Sequence, residues 1–208
     1  MSPKDIFIAV FAGVVTGLTG ALIFKRLAEL QFLGQAIWLL VVITPLVFVS
    51  GLYLGRWLSR WRPFFNSFAR FAVVGFLNTA VDIGVFNLLM FLTGIEKGQA
   101  IALFKASGAV LAFLNGYFWN KYWSFEAGRT QNRGAEFIKY ISVTVGGAVL
   151  NVGITALIVN FVPPAFDLSQ LSWNNLAAVI ATVFNLAWNF SGYRWIVFKR
   201  SSPNPLSG

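Results

Sequence analysis

The sequence contains no cysteine and no histidine. The first absence excludes a disulfide scaffold and thiol chemistry. The second removes the commonest general base and the commonest metal ligand. Acidic residues are scarce too: seven Asp and Glu stand against sixteen Lys and Arg in 208 residues. They form no paired-carboxylate cluster, and no glycine loop of the nucleotide-binding kind is present. The chain is therefore not expected to be an enzyme: catalytic residues none, metal none, cofactors none. Charged residues of both signs make up only 11%, against roughly 25% in a soluble domain. That is too few to coat a water-facing surface. What fills the chain is apolar: 57% hydrophobic and 17% aromatic, with a mean hydropathy of +0.71. This composition excludes a soluble globular domain and a disordered chain, and leaves an integral membrane protein. The net charge of +9 then belongs in loops on one side of a bilayer rather than on nucleic acid.

A helix needs about 20 mostly apolar residues to cross the hydrocarbon core. Six stretches qualify, near 6–24, 36–55, 71–92, 100–119, 140–162 and 176–196. The expected fold is all-α: a polytopic membrane bundle of six transmembrane helices. Pro45 falls inside the second stretch, where it can kink a span without ending it. Twelve cations lie in the N-terminal segment, the 56–70 and 120–139 segments and the C-terminal end. Lys25, Arg26 and Lys97 lie on the opposite side, and Lys105 falls within a span. The positive-inside rule then puts both termini in the cytoplasm of a multi-pass protein of the cytoplasmic (inner) membrane. Trp57, Trp61, Trp119, Trp123 and Trp195 gather at the same expected interface.

The chain also repeats itself. Phe68-Ala-Arg70-Phe71 opens the third span and Phe137-Ile-Lys139-Tyr140 the fifth, so that Arg70 meets Lys139, Asp82 meets Asn151 and Gly84 meets Gly153. The fourth span ends in Asn120-Lys121-Tyr122-Trp123-Ser124-Phe125, the sixth in Tyr193-Arg194-Trp195-Ile196-Val197-Phe198; Lys121 there meets Arg194 and Phe125 meets Phe198. Two spans per unit make this a parallel repeat of two-helix hairpins, with units at about 68–125 and 137–198. Residues 1–62 form an extra N-terminal transmembrane hairpin, 66–200 a four-helix domain, and 201–208 a disordered tail. Gly13, Gly17 and Ala21 give the first span a small-residue stripe suited to close helix packing.

The pattern Phe-x-Arg-Phe-x-x-Val-Gly-x-x-Asn-x-x-x-Asp at 68–82, followed by the exits at 120–125 and 189–198, resembles GtrA-like membrane proteins. The resemblance implies a four-span unit tied to cell-surface polysaccharide synthesis. Such a unit either flips a polyprenyl-phosphate-linked monosaccharide or anchors and assists a glycosyltransferase. The extra hairpin, Ile196 in place of an expected Trp, and Asn151 opposite Asp82 depart from the pattern.

The polar residues fit that implication. Asp82 and Lys105 lie roughly 17 and 20 Å deep by helical rise, at similar depth in one hairpin. They form either an ion pair locking the hairpin or the wall of a polar cavity. Asn78, Asn115, Asn151 and Asn185 extend that candidate cavity. Arg70, Lys121, Lys139 and Arg194 recur at matching repeat positions and are candidate ligands for a phosphate head group, by bidentate contact or point charge. Topology anchoring is the plainer account of such cations, and the one adopted for Arg56, Arg60 and Arg62. Asn120, Tyr122, Trp123, Asn189, Tyr193 and Trp195 are candidate sugar or lipid contacts. The expected partners are a polyprenyl-phosphate-linked sugar and membrane lipids, with a glycosyltransferase or a second copy of the chain as further partners and no nucleic acid. A small proton-coupled transporter, with Asp82 as its central acid, is a further alternative.

Overall fold

The computed structural model describes residues 1–25, 28–95, 99–127, 132–165 and 170–198, and these are helical without a strand. Six α-helices follow one another: α1 (Pro3–Phe24), α2 (Leu40–Leu58), α3 (Phe64–Thr93), α4 (Gln99–Trp119), α5 (Arg133–Phe161) and α6 (Gln170–Gly192). A 3-10 run, Ala28–Leu39, precedes α2 and is broken at Gly34, whose φ of 49° suits a residue without Cβ. Short π-helices, Asn120–Ser124 and Tyr193–Val197, extend α4 and α6. Four helical stretches among the described residues are long and apolar enough to cross a membrane: Pro3–Phe24, Gly34–Leu58, Phe64–Thr93 and Arg133–Ile158.

Three helix starts differ from expectation. α3 begins at Phe64 rather than near 71, α5 at Arg133 rather than near 140, and α6 at Gln170 rather than near 176. The 120–139 connection is accordingly not a 20-residue loop: it opens with a π-helix and closes inside α5. The reason is physical. Hydropathy marks where a helix meets lipid, not where its backbone hydrogen bonds start. At α5 the Asn132 side chain caps the amide of Ala135 at 2.9 Å and Glu136 sits in the first turn, both of which favour a helix start in polar sequence. The 30 residues of α3 rise through roughly 45 Å, well beyond a hydrocarbon core of about 30 Å.

The chain divides into two compact units, Met1–Ser124 and Phe125–Gly208. The division anticipated at 62–66 marks where the repeated motifs begin; packing runs across it, because α1 and α2 both pack on α3. The first unit is built around Ile8, Ala9, Ala12, Phe48, Leu52, Val73, Val74, Leu77 and Trp123. The small-residue stripe of α1 packs within the chain: a Cβ on Gly13 would overlap the backbone of Pro45, and one on Gly17 the carbonyl of Leu40. Pro45 stays inside α2, and the residue opposite it is the one with no side chain. In the second unit α5 pairs with α6, around Phe125, Tyr140, Val143, Ala177, Ala181, Phe190, Tyr193 and Phe198. The expected disordered tail, 201–208, lies outside the described residues.

Candidate functional site

The ends of α4 and α6 are the unusual parts of the molecule. Both leave the α-helical hydrogen-bond ladder for a π-helix, and the two π-helices stand at an offset of 73 positions, Asn120 to Tyr193. π-Helices are rare and concentrate at functional sites. In the first, the wider turn turns polar side chains inward. Lys121 is 2% exposed, Asn120 2% and Ser124 1%. The Lys121 ammonium lies 3.5 Å from the Tyr117 hydroxyl and 5.6 and 5.5 Å from the ring centroids of Tyr117 and Tyr122, within cation–π range. Among the described residues the Oδ1 of Asn120 and the Oγ of Ser124 are buried without a hydrogen-bond partner. Sequence reasoning put Lys121 at the membrane boundary, where lysine usually extends its ammonium to water; the structure folds it inward.

Next to this turn is a network that the sequence did not suggest. Asp5, on the first turn of α1, is 6% exposed. Its Oδ1 accepts a hydrogen bond from the Trp123 indole at 2.9 Å and pairs with the Arg70 guanidinium at 3.0 Å. Its Oδ2 accepts from the Ser2 hydroxyl at 2.8 Å and the Ser2 amide at 3.1 Å. Arg70 also donates to the Trp123 carbonyl at 3.1 Å. A cation on the last carbonyls of a helix caps groups that have no partner within the helix. Trp123 is thus gripped at both ends, and a sugar or lipid contact through its indole N–H competes with Asp5. One part of this was readable: Ser2-x-x-Asp5 with Pro3 between is a capping box opening α1. The partner of Asp5 lies 118 residues away, beyond any local signal.

The other named residues separate by environment. Lys139 is exposed and Arg194 half-buried. Tyr122 and Trp195 face outward at 51% and 67% exposure. Tyr193 is enclosed in the second unit: its ring stacks on Tyr140 at 4.6 Å and its hydroxyl is 2.7 Å from that of Thr144. The Asn78 carbonyl oxygen accepts from the Asn115 amide at 2.7 Å, and Asn115 accepts from the Trp119 indole at 2.9 Å, which joins α3 to α4 by a polar chain. In α6 the amide of Asn189 donates to Asn185 at 2.7 Å, over Gly147 of α5, whose missing Cβ leaves the space they occupy. Asn151 reaches Thr182 at 3.4 Å. Asp82 lies against α4 where Gly108 has no side chain to obstruct it. The side chain of its expected partner, Lys105, lies outside those described.

Two apolar grooves open on the first unit. One, of about 540 Å³, runs between α2 and α3 past Ile43, Val47, Gly51, Phe65, Phe68 and Phe76. The other, of about 550 Å³, runs between α1 and α3 past Thr19, Leu22, Gly84 and Phe91. Both have the dimensions and lining of a slot for hydrocarbon. Among the described residues no three His, Cys, Asp or Glu side chains gather as metal ligands would.

Residues 70–198 match the family described as GtrA/DPMS, transmembrane domain. The chain belongs to this family. The match begins on Arg70 and ends on Phe198, so it takes in both π-helices and leaves α1, α2 and Asp5 outside. The chain is also similar to an uncharacterized membrane protein of Bacillus subtilis (strain 168), YngA. The two are 28% identical over 139 residues, 67% of this chain and 84% of that protein. No solved structure matches. Within the GtrA/DPMS domain this chain thus carries two π-helical exits, and outside the domain an added hairpin whose first helix bonds to one of them.

Proposed function

We propose that the protein carries a polyprenyl-phosphate-linked monosaccharide across the cytoplasmic membrane for cell-surface polysaccharide synthesis, as a carrier rather than an enzyme. The observation that carries this reading is Lys121 with its neighbours. The buried oxygens of Asn120 and Ser124, unpartnered in the same turn as the buried Lys121 ammonium and its two aromatic rings, make an incomplete polar site. Each unsatisfied buried group costs about 1–3 kcal/mol, and a ligand with phosphate oxygens and sugar hydroxyls would supply what is missing. Phosphate accepts from Lys121, a hydroxyl donates to Asn120, and an isoprenoid chain fits the groove between α2 and α3. Family membership agrees. On this reading the chain has six spans with both termini cytoplasmic, and the π-helices at matching offset are the exits of a duplicated hairpin. Arg194 and Lys139 are the counterparts of Lys121 and Arg70, and the Asn78–Asn115 and Asn185–Asn189 chains each supply polar groups within their own unit.

A second reading, an anchor that holds a glycosyltransferase without transport, is favoured by α3 and α5, which at 30 and 29 residues outrun the bilayer and offer helical stubs for docking. One assay separates the two: the sidedness of a labelled polyprenyl-phosphate sugar in proteoliposomes with and without the protein. Losing one charge-assisted phosphate contact costs about 1.5–3 kcal/mol, roughly 10- to 150-fold in affinity. Lys121→Gln and Arg194→Gln should abolish translocation with expression and topology intact, while Arg60→Gln and Arg62→Gln stay near wild type. If all four variants behave alike, the cations are topology signals and the head-group site is wrong.

A further inference from the structure

The Asp5 carboxylate sits where an anion would be bound. One of its oxygens is held by a guanidinium and an indole N–H, at 3.0 and 2.9 Å, and the other by a hydroxyl and a backbone amide. These are four donors converging on one anionic group, enclosed within the first unit: Asp5 and Arg70 side chains are 8% and 11% exposed. Two of the four, the Arg70 guanidinium and the Trp123 indole N–H, come from other elements and would remain for a phosphate oxygen once Asp5 and Ser2 withdrew, a charge-assisted guanidinium contact supported by a neutral N–H. Asp5 arrives from outside the residues that match the family, on a helix held by a two-residue cap, while Arg70 and Trp123 lie inside the match.

We propose that Asp5 is an anion tethered in cis, occupying a phosphate site formed by Arg70 and Trp123, and that an isoprenyl phosphate gains this site by displacing it. The extra hairpin is then an autoinhibitory element of the head-group site. This rests on the reading above, and names how that site is regulated. The binding-competent state is the one with Asp5 withdrawn, so apparent affinity falls by the fraction of time the site is open. An occupant present nine-tenths of the time weakens binding about 10-fold.

The test uses the full-length protein in detergent, with farnesyl phosphate, farnesol and inorganic phosphate as probes in calorimetry. Asp5→Ala should bind farnesyl phosphate about 10-fold more tightly than wild type, and Asp5→Ala with Arg70→Gln should lose the gain. Farnesol, which lacks the anion, should bind both alike. Tightening with inorganic phosphate as well supports the anion site and assigns it to free phosphate as much as to lipid. Unchanged or weaker binding by a folded Asp5→Ala protein overturns the proposal and makes the network a structural clamp. Because removing one member of a buried ion pair can unfold a protein, hydrogen exchange on the unmodified chain gives a second readout. Farnesyl phosphate should speed exchange of the amides at residues 4–8; no change, or slowing, overturns displacement. Failure here leaves the Lys121 and Arg194 results untouched. Conversely, a tightened Asp5→Ala with no translocation in proteoliposomes preserves this inference and removes the carrier reading.

Discussion

Replacing Gly13 or Gly17 by alanine tests the packing that holds the extra hairpin together. A Cβ on Gly13 would stand 2.6 Å from the Pro45 nitrogen, and one on Gly17 2.8 Å from the Leu40 carbonyl carbon. Non-bonded atoms prefer about 3.5–4.0 Å, and the obstacles are backbone, which cannot rotate away. The two helices must therefore separate by roughly 1 Å, forfeiting part of their dispersion contact. Overpacking of this kind costs about 1–3 kcal/mol, partly offset by the better helix propensity of alanine, about 0.5–1 kcal/mol. Each single variant should lose about 1–2 kcal/mol. The two glycines lie four residues apart on one face, so one outward shift relieves both, and the double variant should lose less than the sum. Gly51 and Gly75 are internal controls of opposite sign. A Cβ on either meets nothing within 4 Å, so Gly51→Ala and Gly75→Ala should stabilise by about 0.5–1 kcal/mol. Equilibrium unfolding in mixed SDS micelles, followed by tryptophan fluorescence, reads all five proteins. If Gly13→Ala and Gly17→Ala are no less stable than the controls, the close approach of α1 and α2 is wrong.

Two further outcomes are expected. If Asp82 and Lys105 pair, Asp82→Asn should impair folding or activity and adding Lys105→Gln should restore part of the loss; a double variant as damaged as the worse single one argues against pairing. Reporter fusions after residues 30, 97 and 168 should report the periplasmic side and those after 63, 130 and 203 the cytoplasmic side; a reversed signal at 130 would refute both the orientation and the duplicated hairpin.

Six α-helices fall on the six stretches read from hydropathy, but among the described residues four helical stretches, not six, are long and apolar enough to cross a membrane. The starts of α3, α5 and α6 were misplaced because hydropathy sees only lipid-facing stretches: 64–69, 133–137 and 170–175 are helical without being uniformly apolar. The four repeated cations were visible as a pattern, but their environments were not. Lys121 and Lys139 were both named as head-group lysines, yet one is buried and the other exposed. The difference depends on a π-helix, which has no composition rule, and on aromatic neighbours one turn away. Asn78 and Asn115 were named together as residues of a polar cavity; that they bond to each other follows from how α3 and α4 pack, which spacing on one helix cannot tell. Asp5 was not legible as a network centre, because its capping box is local and its ion pair is not.

The contact between Asp5 and Trp123 also has a time attached to it. The two residues are 118 positions apart, and ribosomes add about 5–20 residues per second. For roughly 6 to 24 seconds after α1 emerges, its carboxylate has Ser2 for company but no indole. Arg70 appears midway, so the ion pair can close before the indole bond does. The newborn chain thus passes through a stage in which the Asp5 carboxylate is provisionally neutralised by Arg70, and the indole bond follows only when the end of α4 has been made. A ribosome stalled before codon 123 would hold a hairpin and a half with the Arg70–Asp5 pair made and the indole bond missing, an intermediate that in vivo crosslinking between positions 5 and 70 could capture.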